Sequence, residues 1–176
     1  LYGGPVQNPI KVLRRILAAL HDRRGRITIP GFYDNVEIPS KEYRSELNAA
    51  PFNLEDFKKD LGVNDVWGEK DFTTLERTGI RPTLDVNGIW GGYTGEGAKT
   101  VLPASAFAKI SMRLVPGQTH EDAGEKFKKY FESIAPKSVK IKVSPHHGGE
   151  PVVVSTESAG YKAASKAMQE TYGKKP

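Results

Sequence analysis

The chain has 176 residues, 38% of them hydrophobic and 27% charged, with a formal net charge of +5 and no cysteine. That length suits one domain, or one domain with a sizeable insertion. Without cysteine, disulfides and thiolate metal sites are excluded and redox chemistry is silent about compartment; no apolar run approaches the roughly 18 residues of a membrane span. Lys and Arg are interspersed with acids, and the densest basic group (Arg14, Arg15, Arg23, Arg24 and Arg26) reads as a solvated helix face rather than a nucleic-acid surface. The opening, Leu1-Tyr2-Gly3-Gly4-Pro5, has neither an initiator Met nor a charged-then-apolar leader, so an excised piece of a longer protein is expected.

Asn8 and Pro9 mark the start of a first helix as N-cap and first helical residue. Ile10, Leu13, Ile16, Leu17 and Leu20 then form one helical stripe, with Gly25 as the expected left-handed cap. From Arg26 to about Gly79 the pattern becomes irregular. Ile27–Ile29 is a short extended run, and Pro30, Pro39 and Pro51 punctuate helical pieces at Ser40–Leu47 and Leu54–Leu61. This stretch reads as a partly helical insertion. Thr83–Trp90 and Phe107–Val115 alternate as strands. Thr119 opens a helix that turns Ala123, Phe127, Tyr130, Phe131 and Ile134 inward. Val139–Val143 is a third alternating strand, and Ser155 or Thr156 caps a last helix holding Ala159, Ala163, Ala167 and Met168. The order favours an antiparallel sheet with helices on one face.

Complete catalytic machinery is missing. His146-His147 is the single histidine pair, and adjacent residues of an extended segment face opposite ways. No His-Glu-x-x-His, Gly-x-Ser-x-Gly, phosphate-loop or dinucleotide pattern is present. The Gly-rich run Gly88–Gly97 reads as a turn between strands. Thr100, Arg113 and His147 remain. Arg113, on a strand in apolar company, calls for a carboxylate, either from an intramolecular ion pair or from a ligand. Thr100 either ends the turn or offers a hydroxyl, and His147 either precedes the Gly148-Gly149 turn or reaches a site.

Several segments, in order, resemble a known family. Leu1–Pro9 resembles the opening of the lid domain of zinc metallopeptidases that include carnosinases, aminoacylases and succinyl-diaminopimelate desuccinylase. Gly88–Tyr93, Gly95–Pro103 and Ser111–Pro116 resemble the lid's central hairpin, and His146–Pro151 its following strand and turn. The insertion between Arg26 and Gly79 resembles that of the carnosinase-like dipeptidase branch.

The resemblance implies an α+β, two-layer, ferredoxin-like lid over residues 1–176: a four-stranded antiparallel sheet with two main helices on one face, plus an insertion at about 26–79. It implies a homodimer through the lid, a peptide or acyl-amino acid substrate, and two zinc ions on a catalytic domain that this chain lacks, so the isolated chain is expected to hold no cofactor and to be inactive. Thr100, Arg113 and His147 are implied to grip the substrate's carboxylate or the oxyanion, with an offset of one to His146 left open. No nucleic acid and no membrane are expected as partners, and the expected location is cytoplasmic. A stand-alone ferredoxin-like interaction module, or a small-molecule-binding module using the Gly88–Thr100 turn, is the alternative.

Overall fold

The structure, a computed structural model, describes residues 2–174. Its first helix, α1 (Pro9–Ala18), starts as the sequence indicates, with Asn8 Oδ1 accepting from the Ile10 amide at 2.8 Å. Val12 and Ile16, followed by Leu20, bury its apolar stripe. Against it pack Ala123, Phe127 and Phe131 of a second long helix, together with Ile27, Ile29, Phe32 and Leu84. Burying one large apolar side chain in this way contributes roughly 1.5–3 kcal/mol.

The insertion holds three short helices: α2 (Lys41–Asn48), α3 (Leu54–Leu61) and α4 (Thr74–Gly79). The hairpin strands β1 (Thr83–Gly91) and β2 (Ala106–Arg113) follow, then α5 (His120–Ser133) and α6 (Ala159–Tyr172). Neither α2 nor α3 buries a residue. The insertion is instead fixed at its far end by charges. Glu69 and Arg81, each 5% exposed, form a two-pronged pair. The Arg81 guanidinium lies 4.2 Å from the Phe72 ring centroid and 5.2 Å from that of Tyr33. Burial pushes the Tyr33 phenol up to about 12, so it stays neutral while its oxygen accepts from the Ile27 amide at 3.0 Å.

A second network closes α4. Thr73 and Glu76 form a reciprocal capping box, and the Glu76 carboxylate also accepts from Arg44 at 2.7 and 3.0 Å and from Asn48 at 3.0 Å. At Gly25 the insertion crosses the end of the α1 turn so closely that a Cβ would sit 2.3 Å from the Gly68 carbonyl oxygen, at a φ of +79°. Only glycine fits there.

Three expectations are corrected. The first helix ends at Ala18, capped by Ala19, and Gly25 serves this crossing rather than a helix cap. Among the described residues the sheet has two strands, not four. Val139, Ile141 and Val143 do pack against the core while Lys140 and Lys142 are exposed, but the segment makes no ladder hydrogen bonds. Period-two alternation reports which face is buried, and says nothing of a backbone partner. The last helix, which does hold Ala159, Ala163, Ala167 and Met168, is capped by Ser158 rather than Ser155 or Thr156, and it buries no residue. The two helices that cover one face of the sheet are α1 and α5.

The Glu76 network makes stability pH-dependent. Hydrogen bonds from Arg44, with those from Thr73 and Asn48, hold the Glu76 carboxyl down at about 2. Its folded value lies below the unfolded one near 4.3, so its contribution is complete above that range and is lost as pH falls toward 2. Replacing Glu76 by Gln is expected to cost roughly 2–3 kcal/mol at pH 7. Urea unfolding should show that gap closing below pH 4; a gap that persists at pH 2 would contradict the assignment.

Candidate functional site

The hairpin presents the residues singled out in the sequence. Thr83 lies opposite Arg113, Asp85 opposite Ser111, Gly88 opposite Lys109 and Trp90 opposite Phe107, all on the face away from α1 and α5. Leu84 with Met112 and Val86 with Ile110 take the covered face. The register slips between Val86 and Gly88, which leaves Asn87 as a bulge. The extra residue reverses the phase of β1. Without it Trp90 would share the face of Leu84; with it, the indole stacks on Phe107 at 5.2 Å and 12°, and both rings stay half exposed.

Arg113 closes β2. It is exposed, and its Nη1 donates to the Thr78 carbonyl of α4 at 2.9 Å. Among the described residues it has no carboxylate partner. The intramolecular ion pair is therefore not formed, and the rest of the guanidinium fork faces solvent. The insertion thus positions this cation: the capping box and the Arg44–Glu76 pair hold α4, and α4 offers Arg113 a carbonyl.

Thr100 lies in the exposed loop between the strands. The Val101 amide donates to the Lys99 carbonyl at 2.9 Å, which makes Thr100 the apex of a three-residue turn. The loop braces itself: Tyr93 donates its hydroxyl to the Glu96 carbonyl at 3.0 Å, and Lys99 Nζ lies 5.4 Å from the Tyr93 ring centroid. Leu102 joins Asn8, Lys11 and Arg15 around a surface cleft of about 290 Å³, which seats the loop against the start of α1.

His147 is exposed on an extended segment. No hydrogen bond or ion pair joins Thr100, Arg113 and His147 to one another among the described residues. Three residues beyond His147, Glu150 Oε1 accepts from both the backbone amide of His120, at 3.3 Å, and its Nδ1, at 2.6 Å. That ring holds the Glu150 carboxyl below the usual carboxylate range. With Glu121, these residues form the one group of three potential metal ligands among the described residues. They do not fit a two-metal centre. The ligand count is too small, His120 Nδ1 already bonds Glu150, and the group sits at the N-terminus of α5, where the helix dipole favours anions.

The hairpin, the helices packed on it and the inserted helical segment define an α+β domain. Residues 2–139 match the peptidase dimerisation domain family, and the chain belongs to it. A Cys-Gly metallodipeptidase of Schizosaccharomyces pombe is 31% identical over 180 residues, covering 100% of this chain and 38% of that protein. The Beta-Ala-His dipeptidase of Homo sapiens is 28% identical over 178 residues, covering 99% of this chain and 35% of that protein. An M20 family metallo-carboxypeptidase from Sulfolobus solfataricus superposes with a TM-score of 0.85 at 34% identity, over 98% of this chain and 39% of that one. The chain therefore spans little more than a third of the length of the curated relatives it matches.

Sequence reasoning missed Thr78, Glu76, His120 and Glu150. The Thr73-Thr74-Leu75-Glu76 capping-box signature was there to be read. The His120–Glu150 contact spans 30 positions and had no local signal.

Proposed function

We propose that the chain is the lid and dimerisation domain of a larger dinuclear-zinc dipeptidase or related amidohydrolase. The metals and their ligands belong to a catalytic domain outside this chain, and they supply the activated water that cuts the amide bond. Arg113 carries the reading: an exposed guanidinium, steadied on one side by the Thr78 carbonyl, with no carboxylate partner among the described residues. Such a fork binds a carboxylate bidentately. Thr100 and His147 add a hydroxyl and an imidazole to the same task, holding the substrate's C-terminal carboxylate or the oxyanion as it develops. The printed activities of the relatives, a Cys-Gly metallodipeptidase and a Beta-Ala-His dipeptidase, favour short peptides as substrates. The domain pairs with a second copy of itself in this reading.

Two measurements test the proposal. In the complete enzyme, Arg113→Ala should lower kcat/KM at least tenfold for peptides with a free C-terminal carboxylate, chiefly through KM, and leave carboxylate-blocked substrates nearly untouched. Equal losses for both would remove the grip. The isolated chain should bind zinc at well below one equivalent in equilibrium dialysis; two tightly held ions per chain would put the metal centre here after all.

A further inference from the structure

Residues 140–154 contain His147 and make no backbone ladder, although Val139, Ile141 and Val143 pack on the core. Beyond Val143 every residue to Glu150 is exposed. Among the described residues, the hydrogen bonds that tie residues 140–154 to the rest of the domain are those from His120 to Glu150, one from the backbone amide and one through Nδ1. The grip has a second side. A Cβ placed on Gly148 would lie 2.4–2.5 Å from Cδ2, Cβ and Cγ of His120, so the Gly148 backbone rests directly on that ring. Only a residue without a side chain allows this approach. His120 is itself fixed, as the first residue of α5, behind the Thr119 cap that accepts from Asp122 at 3.3 Å. Gly148 and Glu150 therefore hold the His120 ring between them, and His147 is the residue immediately before the held stretch.

We propose that His120, Gly148 and Glu150 form a latch that sets the place of His147 above the substrate, which makes His120 and Glu150 positioning residues for the reaction. The inference rests on the reading of His147 as a substrate contact. With the latch closed, His147 is displaced from a fixed helix by a few bonds. With it open, residues 144–154 have no polar tether, and the imidazole must be ordered at each binding event, at the expense of affinity.

The test is a double-mutant cycle in the complete enzyme. Glu150→Ala should lower kcat/KM about tenfold, divided between KM and kcat in the same proportion as the loss caused by His147→Ala. In the His147→Ala background the same change should cost less than about twofold, because there is no longer an imidazole to place. Glu150→Gln keeps an acceptor for the His120 amide and ring and should recover most of the loss. Gly148→Ala, which pushes the ring away and leaves both side chains in place, should reproduce the Glu150→Ala pattern even if that variant folds poorly. Loss of kcat alone, in proportion to a reduced folded fraction, would mark a merely structural role and overturn the latch. So would an equal loss in both backgrounds, or wild-type kinetics for Glu150→Ala beside a damaged His147→Ala. If His147→Ala is itself silent, the substrate role of His147 fails first, and the latch with it.

Discussion

The arrangement depends on one buried ion pair. Glu69 lies in the irregular run between α3 and α4, and Arg81 stands two residues before β1, so their pairing fixes where a long excursion returns to the sheet. Taking two charges out of water is costly, and such a pair gives little net stability over an apolar equivalent. Its value is directional. The guanidinium needs both carboxylate oxygens and is stacked between Phe72 and Tyr33, which leaves few ways for the insertion to land. Removing either partner leaves an unpaired charge where there is almost no solvent, a cost of about 3–5 kcal/mol.

From that anchor a line of contacts runs to the site. Arg77 donates through Nε to the Glu69 carbonyl at 2.9 Å, and its own helix, α4, offers the Thr78 carbonyl to Arg113. The Arg44–Glu76 pair, reinforced by Asn48, joins α2 to the same short helix. A six-residue helix has little stability of its own. Its capping box and these side-chain bonds supply the rest. The insertion is therefore more than a decoration on the hairpin: it orients a cation that the sheet alone would leave to rotate freely. The exposed Arg24–Asp71 pair, by contrast, adds little, since both side chains are more than half in water.

How far the sequence told this depended on the range of each interaction. Local signals were read correctly where they are self-contained: Asn8 caps α1 with Pro9 as its first residue, and Thr119 caps α5. The inward residues of α5 followed from spacing alone, and Ala123, Phe127 and Phe131 are buried. Pairing was not legible in the same way. The Asn87 bulge is a property of two strands, and alternation in β1 by itself would turn Trp90 the wrong way. Val139–Val143 has the pattern of a strand without the ladder, because its pattern records only the core it leans on. The site residues were chosen by chemistry and resemblance, and the contact that matters most for Arg113, a backbone carbonyl 35 positions away, leaves no trace in side-chain identity.

The distribution of apolar surface fits a domain made to work against something larger. The core is small and drawn from α1, α5, Leu84 and the Ile27–Phe32 run. Outside it, Val152, Val153 and Val154 are 86%, 67% and 65% exposed, and Tyr161, Met168 and Tyr172 of α6 are open as well. Three adjacent valines in water are unfavourable in a finished surface, and exposed apolar tracts of this kind usually mark contacts with another body. They begin two residues after Glu150, where the grip on His120 ends. The His120–Glu150 contact thus stands between two stretches: up to Val143 the chain leans on the domain's own core, and from Val152 the apolar side chains have no cover among the described residues. In the proposed role, His147 just ahead of Gly148 and Glu150 needs a local anchor, because the core no longer holds the backbone there.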